Sequence, residues 1–146
     1  LSGPKHGGAG AALAALAAEA KANGVDMAVA RWLAAGHGLP GFGHPLYPHG
    51  DPRAAALLPL VTLDPALVEL RDAVGDATEA LPNIDFALLA ISVAADLPAD
   101  APFRLFATAR GVGWAAHAIE QSASGAVIRP RAFYQELATV AQGNGH

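Results

Sequence analysis

The sequence contains no cysteine. That excludes a disulfide scaffold and a thiolate metal site, and it agrees with a cytoplasmic protein. Charge is also scarce. Asp, Glu, Lys and Arg make up 15% of the chain, against roughly 25% in an average soluble protein. Alanine and glycine take their place, which suits helices packed closely inside a larger body. There is no basic block and the formal net charge is -4, so nucleic acid is not an expected partner. Long apolar runs are missing too. The longest lie near residues 9–18 and 86–95, well short of the roughly 20 residues that a membrane span needs. No basic stretch followed by an apolar run opens the chain, so no secretory leader is expected. There is no initiator methionine, and the opening Leu1-Ser2-Gly3-Pro4 reads as the middle of something longer. No alternating strand pattern and no internal repeat is found, so the expected class is all-α.

What is present supports that class. The chain has 146 residues, of which 53% are hydrophobic, enough for about one domain with a core. Residues 10–22 are Ala-rich and place Leu13, Leu16 and Ala20 on one helical face, with Asn23-Gly24 as the stop. Val25, Val29, Trp32 and Leu33 predict a second amphipathic helix. Residues 36–50 are punctuated by Gly and Pro and predict a loop. Asp51-Pro52 and Asp64-Pro65 each combine a capping residue with proline at the first helical position. The second of these opens a helix expected to run through Leu81. Residues 82–95 form an apolar segment expected to be a buried helix. A long helix is expected from about Pro102 to Ser124, stopped by Gly125, with residues 127–134 extended and a frayed Gly-rich tail.

Chemistry is concentrated between these helices. His6 lies in Lys5-His6-Gly7-Gly8 before the first helix, and His44 in Gly41-Phe42-Gly43-His44-Pro45. Asp85 is a lone acid in an apolar run, where burial would raise its pKa and make it a better base. Taken singly, each has a bland reading. A histidine among glycines is commonly a turn residue, and Asp85 suits a helix start bonded to backbone amides. Gly36-His37-Gly38-Leu39-Pro40-Gly41 fits a dinucleotide fingerprint literally, but a helix precedes it and the strand–turn–helix context is absent. His37, His44 and His49 share a loop without cysteine or helical spacing, so no metal site is expected. His117 follows Arg110 by seven residues on one helical face and reads as a packing histidine that orients it. Arg53, Arg110, Arg129 and Arg131 stand out in a chain this poor in charge. Guanidinium forks match carboxylates bidentately, so a cluster of them suits a small multi-carboxylate ligand. Pairing with a local acid is the alternative, and it is preferred for Arg131.

In order, these pieces resemble the citrate synthase family. Gly3-Pro4-Lys5-His6-Gly7-Gly8-Ala9 is similar to the family's first catalytic histidine motif. Pro40-Gly41-Phe42-Gly43-His44 with Asp51-Pro52-Arg53 is similar to its second, and Pro82-Asn83-Ile84-Asp85-Phe86 to its aspartate motif. Ala109-Arg110, Gly113-Trp114-Ala115-Ala116-His117 and Glu120-Gln121 resemble the next helix, and Ile128-Arg129-Pro130-Arg131 the closing arginine motif. Five motifs in family order over nearly the whole chain are far more specific than any one of them.

The resemblance implies an all-α fold with an active site between a large and a small domain. Residues 1–7 would end a large-domain segment, 8–96 would be the small domain, and 97–146 would return to the large domain. It implies condensation of acetyl-CoA with oxaloacetate, in a homodimer that needs an upstream part supplying more helices and another histidine. Asp85 would be the base, His6 the donor to the enolate oxygen and His44 the donor to the ketone of oxaloacetate. Arg53, Arg110 and Arg129 would bind the dicarboxylate, Arg129 from the other subunit. Pro40, Gly41 and Gly43 would form the CoA loop. No metal or redox cofactor is implied; acetyl-CoA is a co-substrate. The chain departs from the family where basic residues usually follow the second histidine, reading Pro45-Leu46-Tyr47-Pro48, and after the aspartate, reading Ala87-Leu88-Leu89. Three other readings stand beside this one. They are a methylcitrate synthase using propionyl-CoA, a citryl-CoA-cleaving relative, and a non-catalytic subunit that binds a dicarboxylate or an acyl-CoA.

Overall fold

The structure, a computed structural model, describes residues 8–36 and 38–125. Six α-helices account for most of them: α1 (Ala9–Asn23), α2 (Val25–Ala34), α3 (Pro52–Leu57), α4 (Pro65–Thr78), α5 (Ile84–Ala94) and α6 (Ala101–Ser124). A 3-10 turn, Leu58–Leu60, extends α3. Among the described residues there is no strand, only an isolated antiparallel bridge between Phe42 and Pro82. The fold is all-α.

Local chemistry sets most of the helix ends. Gly24, at φ 91°, stops α1 and donates to the Ala20 carbonyl, so α2 starts one residue later. Asp51 and Asp64 cap α3 and α4 as their Asp-Pro pairs predict, each accepting an amide in the first turn. The predicted run of α4 to Leu81 is too long. The helix ends at Thr78, and Glu79 takes a left-handed φ of 59°. Thr78 helps to end it: its hydroxyl donates to the Val74 carbonyl at 2.7 Å and accepts the Ala80 amide at 3.2 Å. Pro82 also disfavours helix at the residue before it. α5 likewise starts later than its apolar run, because Asn83 is its cap.

Among the described residues the core is one cluster. Leu13 and Leu16 of α1, Val29 of α2, Leu67, Leu70 and Val74 of α4, and Phe86 and Ala90 of α5 converge in it. Leu39 and Phe42 of the connecting loop complete it, and the Phe42 and Phe86 rings meet at 5.2 Å. The loop is therefore anchored by its own apolar side chains. α5 packs against α1, α3 and α6. A further tie at the surface joins α1 to α2, where Glu19 accepts from Trp32 and pairs with Arg31. α6 is buried only at Ala101 and Pro102, and Val112, Trp114 and Ile119 are exposed along it. No helix among the described residues is long and apolar enough to cross a membrane.

Candidate active site

The loop of residues 38–50 folds back onto the segment that leads into α5. The Gly43 amide donates to the Leu81 carbonyl at 2.8 Å, and the Asn83 amide donates to the Gly41 carbonyl at 2.9 Å, on either side of the Phe42–Pro82 bridge. The Asn83 side chain adds a third link, donating through Nδ2 to the Gly43 carbonyl at 2.9 Å. Its Oδ1 accepts the Asp85 amide, also at 2.9 Å. Gly41 makes the close approach possible. It has φ 85°, and a Cβ there would lie 2.7 Å from Leu13 Cδ2.

Asp51 ties the start of α3 to the start of α5. Its side chain is fully buried, and four N–H groups converge on its two oxygens. Oδ1 accepts from the Arg53 amide at 3.0 Å and from Arg53 Nε at 2.9 Å. Oδ2 accepts from Arg53 Nη2 at 2.8 Å and from the Ile84 amide at 3.0 Å. The bonds from the Arg53 side chain dominate. Against the opposing cost of burial, and with help from the Arg53 and Ile84 amides, they lower the Asp51 pKa from 3.8 to about 2. Arg53 is correspondingly held above its ordinary value, first by those bonds to Asp51. Burial opposes this, and the charges of Asp51, Tyr47 and Asp85 support it. The guanidinium also lies 5.5 Å from the centroid of the Tyr47 ring, close enough for a cation–π contact.

His44 also neighbours Tyr47, with ring centroids 4.8 Å apart. Its Nδ1 accepts the Leu46 amide at 3.2 Å. A nitrogen that accepts is not free to donate, so the contact leaves Nε2 as the nitrogen turned to other partners. Asp85 occupies the first turn of α5 and is half-buried. The side chain that caps this helix start is that of Asn83. A hollow of 340 Å³ opens beside His44, lined in part by Gly43, Tyr47, Thr78, Glu79 and Leu81. Among the described residues that line it there is no lysine or arginine.

His44, Arg53 and Asp85 thus belong to one hydrogen-bonded assembly built from a loop and two helix starts. Of the proposed CoA loop, Gly43 lines the hollow while Gly41 is buried against Leu13. Pro40 is half-buried. Arg110 stands apart from these contacts. It is exposed midway along α6, with its guanidinium folded over Gly113. His117 does not pack as its spacing suggests. It is exposed and pairs with Glu120 at 3.4 Å, because α6 is covered only at its start among the described residues. His6, Arg129 and Arg131 lie outside the described residues, as does His37. No group of three His, Asp or Glu suited to a metal ion occurs among the described residues.

Residues 1–131 match the family model described as citrate synthase, C-terminal domain. The chain belongs to the citrate synthase family. Citrate synthase 2 of Bacillus subtilis is 30% identical over 145 residues, covering 92% of this chain and 39% of the relative. The citrate synthase of Haloferax volcanii is 32% identical over 148 residues, covering 92% and 38%. The crystal structure of citrate synthase from Thermotoga maritima superposes with a TM-score of 0.73 at 30% identity, over 96% of this chain and 42% of that one. The chain therefore spans about two fifths of the length of the relatives it matches.

Two residues of the citrate synthase assembly escaped the reading of the sequence. Asp51 was legible as a helix cap and as part of a motif, and Asn83 only as part of a motif. A small polar residue directly before an apolar run signals a cap. It carries no sign of the second, distant partner that each side chain takes here.

Proposed function

We propose that this chain is the carboxyl-terminal part of an enzyme that condenses acetyl-CoA with oxaloacetate, giving citrate and CoA. One observation carries the reading beyond family membership. Asp51 and Asn83 bond the Arg53 side chain, the backbone beside His44 and the first amides of α5 into one network. In this reading the Asp85 carboxylate takes a proton from the acetyl methyl group. His6 donates to the enolate oxygen as negative charge develops there, and His44 donates from Nε2 to the ketone oxygen of oxaloacetate. Such donors help most where charge appears in the transition state. The enolate carbon attacks the polarised ketone carbon, and water then cleaves the thioester of the bound product. The spare N–H groups of Arg53, whose Nε and one Nη2 hydrogen are taken by Asp51, bind a carboxylate together with Arg110 and Arg129. The active form is a homodimer with Arg129 acting in trans. The small domain, residues 8–96, closes over the substrates against a large domain that includes residues 97–146 and an upstream part. The reading goes with a cytoplasmic enzyme that needs no metal or redox cofactor.

The experiment is release of free thiol by the complete protein containing this chain. Acetyl-CoA, propionyl-CoA or no acyl-CoA is supplied, each with and without oxaloacetate. Oxaloacetate-dependent release from acetyl-CoA is expected. Faster release from propionyl-CoA would mark a methylcitrate synthase. A hollow bordered by Glu79, with no cationic side chain among the described residues that line it, favours a second reading, that of a binding subunit. No release from either thioester by a folded dimer would decide for it.

A further inference from the structure

The Asn83 carboxamide is bonded at both ends and largely buried. Nδ2 reaches the Gly43 carbonyl, forty positions away, in the peptide that precedes His44. Oδ1 holds the amide of Asp85. One rigid planar group therefore spans from the peptide of the candidate ketone-polarising histidine to that of the candidate base. The two backbone bonds beside it fasten the loop to residues 81–83 but do not extend to Asp85.

A helix cap does not account for this choice of residue. Capping needs only an oxygen acceptor, which Asp, Ser and Thr supply as well. The caps of α3 and α4 in this chain are the carboxylates of Asp51 and Asp64. A carboxamide accepts through one atom and donates through another, so it can hold an amide on its own helix and, at the same time, a carbonyl on another segment.

We propose that Asn83 is a positioning residue that fixes the separation and orientation of His44 and Asp85, so that base and polarising donor move as one body. The proposal rests on the condensing reading above. Asn83→Asp separates the two bonds. It keeps the cap, but sets a carboxylate oxygen against the Gly43 carbonyl where a donor stood 2.9 Å away. The loop must then shift, and a displacement of about 1 Å in a catalytic group is enough for about a hundredfold loss of rate.

The test uses the full-length protein. It measures kcat, KM for oxaloacetate and melting temperature, with amide hydrogen exchange read over residues 42–46 and 85–88. Asn83→Asp is expected to lower kcat about a hundredfold while KM changes far less, and to lower the melting temperature as well, because a carboxylate then faces a carbonyl in largely buried ground. Exchange should quicken in both segments together. Asp64→Ala is the control, removing a cap from α4 away from the loop. It should lower the melting temperature and leave kcat unchanged. A kcat for Asn83→Asp within twofold of the parent overturns the proposal. So does a loss no larger than Asp64→Ala shows at equal destabilisation. If the parent releases no CoA, the proposed reaction falls, and exchange alone decides. Unchanged exchange over residues 42–46 then overturns the positioning role, and coupled acceleration of both segments supports it.

Discussion

Replacing Asp51 by asparagine keeps its shape and removes its charge, and the geometry around it makes this change nearly as severe as deletion. Both carboxylate oxygens accept two N–H groups each, from Arg53 on one side and from Arg53 and Ile84 on the other. A carboxamide offers one accepting oxygen. Whichever way it is turned, its NH2 faces two donors. The charge contribution follows from the lowering of the pKa from 3.8 to about 2. That shift is worth about 2 kcal/mol of stability. Donors left unsatisfied at the flipped end add about 1 kcal/mol more. Asp51→Asn should therefore destabilise the chain by about 3 kcal/mol at pH 7. The pH dependence has a definite sign. The folded-state pKa lies below the unfolded one, so the charge contribution is complete above about pH 4 and is lost as pH falls through about 2. The assay is guanidinium unfolding of parent and variant in the full-length protein, at intervals from pH 7 to pH 2. Their difference should shrink towards zero at the acid end, where a protonated carboxyl faces the same donors as the amide. A difference under about 0.5 kcal/mol at pH 7 would refute the reasoning, because it falls below the net worth of an ordinary intramolecular hydrogen bond. So would one that persists unchanged at pH 2.

Gly41→Ala should destabilise by about 3 kcal/mol, combining a left-handed φ with overpacking against the buried Leu13. Gly43→Ala, at φ 66° with open space around it, should lose only about 1 kcal/mol, and thermal melts of the pair check the contrast. Asp85→Asn should abolish thiol release while oxaloacetate binding, followed by calorimetry, stays close to the parent value, since the amide keeps the shape and cannot take the proton. Mixing the inactive Asp85→Ala and Arg129→Ala proteins under subunit exchange should restore activity if Arg129 works in trans, because one site of each heterodimer then carries neither defect. A mixture that stays inactive after exchange is demonstrated would assign Arg129 to its own subunit.

What could be read from the sequence is what is local. Asp-Pro pairs, Gly24, Gly125 and the spacing of leucines each act within a few residues, and helices formed where they pointed. The one helix end set too far along, at Leu81 instead of Thr78, shows the limit of that reading. Residues 79–83 carry no glycine stop, and an apolar pattern continues through them. Of these, residues 81–83 pair with residues 41–43, and nothing within a window of ordinary helical length points to that partner. The same distance hides the site. Asp51 and Asn83 advertise their caps, which are local, and conceal their bonds to Ile84 and Gly43, 33 and 40 positions away. His44 and Asp85 could be singled out by residue type, and by the resemblance of the segments around them to one family. What fastens the segments that carry them is a pair of residues that look like ordinary helix caps. A carboxamide and a carboxylate that each close a helix start already have their side chains fixed, so a second bond to a distant segment costs little further conformational entropy. This gives a physical reason for the site to be assembled at two helix starts and not along the helices. Capping has already ordered the polar groups there, and the loop needs only to meet them.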